Sequence, residues 1–316
     1  MDKNEISHDQ WLARTRRIFT YYNLGEVKQI RLTTRGANNL IYIINETYAI
    51  RFDGLDNFAE SRFSAERQIY EQLASTRVPV PSVVVCDTSR TLAPCEYMIM
   101  TRIEGEAIID SIDRLCEAER ANLAVQVGEA LATMHSLHFE RFGQIRRLDR
   151  NSVETWTEYV LNVASRLIRR GLSQRTLPLT LAVRLHTALH DHRPLFSAIT
   201  IPALVHWDAH FENLLQHQGQ LTGVLDFEWA LAGDPSVDFA VEDQWESAWP
   251  GSRAQIYAAY AALRPLDQHH PTRVILYKIL RDLDALVESK DDPKETSDQY
   301  DRALLAVTAG LDTLGK

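Results

Sequence analysis

The stretch that decides the fold reads VHWDAHFENLL at residues 205–215 and VLDFEWA at residues 224–230. The first segment holds a His-x-Asp-x-x-x-x-Asn pattern, and the second brings an Asp-Phe pair thirteen residues after the Asn. The number of chance occurrences of the first pattern expected in a chain of this composition is roughly 0.02, so its presence is informative about function. The β-type runs around it, separated by polar loops, predict a small hairpin-like insert that carries these polar residues.

Three side chains of this stretch have the chemistry that phosphoryl transfer to a hydroxyl requires. Such a transfer needs a carboxylate that orients the nucleophile and accepts its proton, and Asp208 fits that role. It also needs oxygen ligands that hold Mg²⁺ against the phosphates of ATP, and Asn213 and Asp226 supply them. Glu228 is a second acid, which either reaches the same metal or faces solvent on a strand.

The same segments resemble the aminoglycoside phosphotransferase and choline-kinase-like family, which shares the protein-kinase fold. In that family the first piece commonly reads His-Gly-Asp-Leu-His-x-x-Asn, so Trp207 stands where glycine is frequent. The resemblance continues through Gly233-Asp234-Pro235 and Asp238-Phe239-Ala240 and covers most of the chain. It implies an α+β class and a bilobal protein-kinase-like fold, with a β-rich N-terminal lobe and a mainly helical C-terminal lobe.

The resemblance also implies a nucleotide site in the N-terminal lobe. In the family a basic residue on the third strand contacts the ATP phosphates and pairs with a glutamate on the following helix. Arg51 and Glu66 occupy those positions here. Arginine departs from the lysine of protein kinases and differs from it in geometry, yet a guanidinium binds phosphate well, even bidentately.

Two further segments complete the implied nucleotide site. Gly36 and Asn38 lie in a turn between the first two strands that resembles the family's phosphate-covering loop. After a later strand, the backbone groups of Thr101 and Ile103 would bond adenine, and Met100 would line its pocket. The implied cofactors are ATP, with GTP as an open alternative, and Mg²⁺.

The order of apolar patterns agrees with this organisation. A helix-type segment from Asp9 to Tyr22 is followed by β-type runs at Val27–Thr33, Leu40–Ile44 and Tyr48–Phe52, and then by a second helix and two more β-type runs. After Gly105 long helix-type segments dominate, interrupted only by the insert at residues 201–227. We therefore predict a nucleotide-binding lobe at residues 1–105 and a helical lobe at residues 106–316 that carries the catalytic loop, the metal ligands and the acceptor site.

Charge is distributed unevenly along the chain. The formal net charge is −9, and residues 200–316, with 9 basic and 19 acidic residues, account for all of the excess. No lysine or arginine occurs between Arg193 and Arg253. Such a region would repel nucleic acid, whose binding depends on basic residues, and would attract a divalent metal or a cationic substrate.

The acceptor is expected to be a small molecule that carries a hydroxyl. The acids of residues 234–246 favour a cationic acceptor such as an aminoglycoside, by simple attraction. Trp229, Trp245 and Trp249 either form a platform for a sugar or quaternary amine or pack in the interior. A macrolide, choline, homoserine or a sugar stays open as the acceptor.

Two other classes of function remain to be weighed. His206, Asp208 and His210 also resemble a metal cluster for hydrolysis, but that interpretation leaves the spacing to Asn213 and Asp226 unexplained. A catalytically inactive kinase-like binding protein is the second alternative, and the arginine at position 51 is its main argument.

The remaining features predict a cytoplasmic protein without a membrane segment. The N-terminal residues are polar, and no stretch approaches the ~20 apolar residues of a membrane helix. Cys86, Cys95 and Cys116 are odd in number and widely spaced, which argues against a disulfide framework or a zinc site.

Overall fold

The structure is a computed structural model and describes residues 7–33, 39–53, 61–289 and 297–315. The chain forms two compact units, and each unit combines separate stretches of sequence. Unit 1 contains residues 1–123 and 211–228, and unit 2 contains residues 124–210 and 229–316. Unit 1 extends past the predicted boundary at residue 105, because a short strand at Glu106–Ala107 pairs with a strand of the 211–228 segment. The assignment of functions to two lobes stays a prediction.

Unit 1 is built around a five-stranded antiparallel sheet with the order β1-β2-β3-β5-β4. Its strands are β1 (Ile30–Leu32), β2 (Leu40–Ile44), β3 (Tyr48–Phe52), β4 (Val83–Asp87) and β5 (Tyr97–Thr101). A second, three-stranded sheet contains β6 (Glu106–Ala107), β9 (Leu214–His217) and β10 (Gln220–Val224), in the order β10-β9-β6. The helices are α1 (His8–Tyr21), α2 (Arg62–Leu73), α3 (Ile108–Ser111) and the start of α4 (Glu117–Met134).

Strand alternation gives the five-stranded sheet two different faces. On one face Phe52 contacts Trp11 of α1, with 4.6 Å between ring centroids, and Ile50 is buried in the same apolar cluster. Arg51 lies between these two residues in sequence, so its side chain points to the opposite face. There its guanidinium lies 5.3 Å from the ring centroid of Phe63 on α2. The alternation therefore places one arginine on the α2 side of an otherwise apolar strand.

Unit 2 is mainly helical and contains one small sheet. Its helices are α5 (Leu148–Asn151), α6 (Trp156–Gln174), α7 (Leu179–Asp191), α8 (Arg193–Ser197), α9 (Glu242–Ala248), α10 (Ser252–Leu263), α11 (His270–Glu288), α12 (Ser297–Leu314) and the rest of α4. The sheet has the order β7-β11-β8, with β7 at Gly143–Gln144, β8 at Ala203–Val205 and β11 at Leu231–Gly233. Short 3₁₀ turns lie at Ile145–Arg147 and Pro235–Val241.

The apolar stripes of α6 and α11 form the core of unit 2. Leu276, Tyr277 and Leu280 of α11 pack with Trp156 and Val160 of α6 in one buried cluster. The predicted combination of a β-rich N-terminal part and a helical C-terminal part is thus confirmed. Among the described residues, no helix is both long and apolar enough to span a membrane.

Candidate active site

Arg51 on β3 forms the centre of an ion-pair network within unit 1. Its Nη1 donates to Glu66 Oε1 at 2.7 Å, and its Nη2 donates to Asp226 Oδ1 at 3.1 Å. Burial alone would lower the pKa of Arg51, but the charges of Glu66 and Asp226 raise it well above its usual value. The guanidinium is therefore a permanent positive charge, and the structure brings together the two residues that were predicted to pair.

Glu66 and Tyr70 on α2 hold the backbone of the Asp-Phe pair. The Tyr70 hydroxyl donates to Glu66 Oε1 at 2.7 Å, and the amide of Phe227 donates to the same oxygen at 3.3 Å. The amide of Asp226 donates to the Tyr70 hydroxyl at 3.1 Å. Burial raises the pKa of Glu66, and the charge of Arg51 lowers it. Helix α2 thus fixes both Arg51 and the backbone from which the Asp226 side chain projects.

Asp226 and Asn213 lie at the same end of the β9–β10 hairpin. Leu214 pairs with Val224, and the amide of Leu225 donates to the carbonyl of Asn213 at 2.9 Å. Asp226 follows directly in a left-handed backbone conformation, with φ at +69°. Aspartate tolerates this conformation better than most residues, and the Tyr70 bond to its amide helps to hold it. Both predicted metal ligands are therefore anchored to one hairpin.

The donor set at this hairpin end fits Mg²⁺. The Asp226 side chain is 36% exposed, so its carboxylate is open to solvent although Arg51 contacts one oxygen. Among the described residues, no group of three or more His, Cys, Asp or Glu side chains is arranged to hold a metal ion. Mg²⁺ suits such a sparse donor set, because it commonly keeps waters and takes one or two protein oxygens together with phosphate oxygens.

Glu228 has a structural role in place of the metal contact that was considered for it. Its side chain is 3% exposed, and its Oε2 accepts from Arg62 Nη1 at 2.9 Å. Arg62 also pairs with Asp53 at the end of β3. Arg62 is thus a second buried arginine beside Arg51, and it lies on α2. It binds Glu228, the residue directly after the Asp-Phe pair, which makes Glu228 unavailable as a metal ligand.

The remaining predicted nucleotide residues are placed as follows. Met100 is buried at 4% exposure, and the amide of Thr101 donates to the Ser82 carbonyl at 2.9 Å. Ile103 packs so closely on β10 that a Cβ atom at Gly223 would lie 3.0 Å from Ile103 Cδ1. The backbone groups of Thr101 and Ile103 stay the predicted adenine contacts. Predicted residues Gly36 and Asn38 lie outside the described residues.

In unit 2 the predicted base, Asp208, is held by two cationic or hydrogen-bonding partners. Arg281 Nη2 on α11 donates to Asp208 Oδ1 at 2.8 Å, and His210 Nε2 lies 3.1 Å from Asp208 Oδ2. Burial alone would raise the pKa of Asp208. The contacts with His210 and Arg281 outweigh burial and hold the pKa of Asp208 well below its usual range. Asp208 is therefore a carboxylate at any physiological pH.

The loop that carries Asp208 is fixed by the buried carboxylate of Asp238. This carboxylate accepts from the amide of His206 at 2.9 Å and from the amide of Trp207 at 2.7 Å. His135 Nε2 lies 2.9 Å from Asp238 Oδ2, the oxygen that also accepts from the amide of His206. Asp238 thus holds the loop through the backbone of His206 as well as that of Trp207.

Trp207 stands where glycine is frequent in the resembling family, and its backbone is left-handed. Its φ is +74°, in the left-handed region that a Cβ atom disfavours. Two hydrogen bonds compensate, because its amide donates to Asp238 and its carbonyl accepts from Arg281 Nη1 at 2.9 Å. The half-buried indole also packs against the apolar cluster of unit 2. The tryptophan thus keeps the backbone turn that glycine would allow.

These contacts rule against the hydrolytic metal cluster. His206 is fully buried, and its Nδ1 accepts from the amide of Asp208 at 3.3 Å. The Asp208 carboxylate binds Arg281 and His210. Three inward-facing ligands with an open fourth position, as zinc hydrolases need, are not formed by His206, Asp208 and His210.

Part of the charge of the acids at residues 234–246 is balanced by basic residues of α11. Arg273 Nε lies 2.8 Å from Asp234 Oδ2, and Lys278 Nζ lies 2.7 Å from both Glu242 and Asp243. Trp245 is likewise structural, since it is fully buried. Its Nε1 donates to the Ala209 carbonyl at 2.8 Å. The charge of the segment without Lys or Arg is therefore balanced in part, and the cationic character of the acceptor stays a prediction.

Three site residues escaped the sequence analysis. Tyr70 and Arg62 lie on the helix that supplied Glu66, and Arg281 lies on α11, far along the chain from the motif. The sequence signal for Arg281 is its place among the apolar residues of the buried stripe of α11, because such a position normally carries an apolar residue. No motif linked it to Asp208.

Comparison with known proteins decides the family. The family model described as phosphotransferase enzyme family matches residues 29–271. This chain belongs to the phosphotransferase enzyme family. The structure of an aminoglycoside 2′-phosphotransferase with GDP superposes with a TM-score of 0.72 at 18% identity and covers 96% of this chain and 98% of that one. The predicted kinase-like fold is therefore confirmed.

Curated relatives of this phosphotransferase-family chain are distant. Hygromycin-B 4-O-kinase of Escherichia coli is 24% identical over 272 residues, which is 82% of this chain and 75% of that protein. Acyl-CoA dehydrogenase family member 11 of Rattus norvegicus is 26% identical over 187 residues, or 57% of this chain. The chain spans only about a fifth of the length of that rat protein, with 22% covered.

Proposed function

We propose that this chain transfers the γ-phosphoryl group of ATP to a hydroxyl group of a small molecule, with Mg²⁺ as the metal. The observation that carries the proposal is the joint placement of Arg51, Glu66 and Asp226, with Asn213 at the same hairpin end. A buried network of this composition has no evident use in a protein that only folds. It leaves the Asp226 carboxylate partly exposed, where a ligand can reach it.

Each residue has a separate task in the proposed reaction. Asp226 and Asn213 would hold Mg²⁺, which supplies charge neutralisation for the phosphates. Arg51 would contact the phosphates as a fixed positive charge. The Thr101 carbonyl and the Ile103 amide would bind the base, beside Met100. In this proposal residues 1–105 contribute most of the nucleotide contacts, and the later residues contribute the catalytic loop and the acceptor site.

Asp208 would orient the acceptor hydroxyl. The hydroxyl oxygen forms a bond to the γ-phosphorus, the bond from this phosphorus to the bridging oxygen of ADP breaks, and the hydroxyl proton passes to Asp208. A carboxylate with a low pKa is a weak base, so its main contribution is the hydrogen bond that aligns the hydroxyl. Arg281 and His210 hold the carboxylate in one orientation for this purpose.

The nucleotide need not be ATP alone, since a neighbour of the same fold is a GDP complex. The cationic, aminoglycoside-like acceptor stays part of the proposal, supported by acids of residues 234–246 that outnumber the basic side chains paired with them.

The test is nucleotide consumption by the purified chain with Mg²⁺ and a panel of hydroxyl acceptors. We expect ADP or GDP to form only with a suitable acceptor, and we expect Asp208→Ala to abolish the acceptor-dependent part while nucleotide binding persists. Acceptor-dependent turnover that Asp208→Ala leaves unchanged would sink the mechanism. Nucleotide binding without turnover on any acceptor would support the inactive binding protein instead.

A further inference from the structure

The buried charge at the start of α2 lies in an unfavourable place. Arg62 is the first residue of this helix, and its side chain is only 2% exposed. A helix N-terminus carries a partial positive charge that disfavours a cation, and the first turn of α2 reads Arg-Phe-Ser-Ala, without an acid. A well-packed apolar residue often stabilises such a buried position as well as an ion pair does. Arg62 is therefore better explained by what it holds than by stability alone.

Arg62 holds two carboxylates on two other segments of unit 1. Its Nη1 donates to Glu228 Oε2 at 2.9 Å, and its Nη2 pairs with Asp53, the residue directly after β3. Asp53 is also fixed through its backbone, since its amide donates to the Glu96 carbonyl at 2.9 Å. We call the contacts of Arg62 with Asp53 and Glu228 the Arg62 bridge. The bridge ties α2 to the end of β3 and to the residue that follows the Asp-Phe pair.

Arg51 joins the same three segments from the other side. It projects from β3 and binds Glu66 of α2 and Asp226 of the Asp-Phe pair. Strand β3, helix α2 and residues 226–228 are therefore joined twice, each time by one arginine and two carboxylates. The two sets of contacts differ in exposure. The Asp226 side chain is 36% exposed, whereas both carboxylates of the Arg62 bridge are at most 11% exposed.

Ligand binding, as proposed above, changes only the contacts of Arg51. Arg51 would contact the phosphates and Asp226 would hold Mg²⁺, yet in the structure these two groups bind each other at 3.1 Å. Their mutual contact must therefore loosen when phosphate and Mg²⁺ bind. No residue of the Arg62 bridge has a ligand contact in the proposed function. The bridge can therefore stay closed in this step and keep residues 226–228 against α2 and β3.

We propose that Arg62 is a positioning residue, which through Glu228 and Asp53 keeps the Asp226 carboxylate where Mg²⁺ binds while Arg51 turns to the phosphates. This inference rests on the proposed function, because it takes Asp226 as the metal ligand. Residues that hold a metal ligand in place without contacting the metal change the metal affinity when they are replaced, typically by about 10- to 100-fold. A residue with a merely structural role changes stability alone.

Binding of a non-hydrolysable ATP analogue to the full chain tests this without turnover. Its Kd would be measured by calorimetry in EDTA and again in saturating Mg²⁺, and the ratio of the two values gives the strengthening by Mg²⁺. Arg62→Gln should reduce this ratio about tenfold, with the Kd in EDTA changed by less than about twofold. Arg62→Lys keeps the charge but loses the planar fork that reaches two carboxylates, so it should reduce the ratio by about threefold.

Arg67 on the same helix provides the matched control. Its side chain is 50% exposed, and its Nε donates to Glu71 at 2.7 Å, one turn further along α2. Arg67→Gln should leave the ratio unchanged. Urea denaturation of all variants would report their stability, and the ratio would be measured only on folded protein. If Arg62→Gln does not fold, the buried charge that Arg62→Lys retains keeps that variant folded, and its ratio decides.

A ratio that both replacements of Arg62 leave at the native value would overturn the inference. A larger ratio would overturn it as well, because it would show that Glu228, once released from Arg62, becomes a metal ligand. Failure of the proposed function is distinguishable from both results, since it appears in the native chain. If the native chain binds the analogue equally well with and without Mg²⁺, the proposed metal site fails, and the role of Arg62 fails with it.

Discussion

The two halves of the proposed machinery are held in different ways. In unit 1 the side chains themselves are fixed, because Arg51 and Glu66 form a buried pair that reaches Asp226. In unit 2 the backbone is fixed, because the carboxylate of Asp238 accepts two main-chain amides of the loop before Asp208. In unit 1 an acid is therefore partly exposed, where we propose that it binds the metal, and in unit 2 an acid is buried and holds the backbone of the loop. Position in the hydrogen-bond network, and not residue type, decides which acids act chemically.

Asp226→Asn should break the chemical half of this comparison and have the largest effect. Loss of a charged metal ligand should lower kcat/KM at least about a thousandfold, on the order of 4 kcal/mol. Stability should change little, since the side chain is 36% exposed. Steady-state kinetics and urea denaturation on the same preparation would check both parts. A variant that retains a tenth of the activity would show that Asp226 is not a metal ligand.

Asp238→Asn should break the structural half. An amide has one acceptor oxygen in place of two, so a buried main-chain amide or His135 loses its partner, and the free energy of unfolding should fall by about 3 kcal/mol. The midpoint of urea denaturation measures this directly. Activity should fall with the folded loop, in contrast to Asp226→Asn. An unchanged midpoint would contradict the clamp.

Arg281→Gln tests two effects of Arg281 on Asp208: its charge lowers the pKa of the carboxyl group, and its hydrogen bond holds the carboxylate in position. Removal of the guanidinium should let the pKa of Asp208 rise toward its ordinary value, so the acid limb of the kcat/KM profile should move to higher pH. We expect kcat to fall about tenfold or more, because the carboxylate also loses one of its two holding contacts. Arg281→Lys should restore part of both effects. An acid limb that stays in place would show that Arg281 does not act through Asp208.

Trp207 allows the cost of the left-handed backbone to be measured. Replacement by Ala and by Gly removes the same packing, but only glycine takes φ at +74° without strain. Trp207→Gly should therefore be more stable than Trp207→Ala by about 1 kcal/mol, as measured by urea denaturation. Equal stabilities would mean that the hydrogen bonds to Asp238 and Arg281 impose no strain at this position.

The smallest expected effect concerns Asp282, which lies beside Arg281 on α11. Burial raises the pKa of Asp282 from about 4 to about 6. A raised pKa in the folded state contributes stability below the unfolded value and loses it as the pH rises through about 6. Asp282→Asn should match the native chain at a pH below about 4 and exceed its stability above about 6 by less than about 1 kcal/mol. Thermal unfolding of both chains across this pH range would show whether their stabilities diverge as the pH rises.

Much of the fold followed from local patterns. The strands at residues 40–44 and 48–52 were predicted with their observed bounds, because period-two alternation and flanking turn residues mark them clearly. The first strand is shorter than predicted, since only Ile30–Leu32 pairs with β2. Three of the strands with two or three residues, β6, β7 and β11, were missed. They have no periodicity and exist only because distant segments pair with them.

The residues of the candidate site show the same difference between local patterns and distant partners. Asp208, Asn213 and Asp226 are visible in the sequence because their spacing is local. Their partners are not, since Arg281 is 73 residues from Asp208 and Tyr70 is 156 residues from Asp226. Charge pairing is equally hidden in the sequence: the acids of residues 234–246 have no basic neighbour along the chain, while in space Arg273 pairs with Asp234 and Lys278 with Glu242 and Asp243.

Unit 1 is assembled from two stretches that the ribosome makes far apart in time. At ~5–20 residues per second, synthesis from residue 123 to residue 228 takes on the order of 5–20 s. Throughout this interval β6 lacks its partner β9, and the Tyr70 hydroxyl lacks the amide of Asp226. The Arg51–Glu66 pair must therefore persist without Asp226 until all of unit 2's first stretch has also been made. Shortened chains that end near residue 123 lack the last two strands and are candidates for recognition by chaperones.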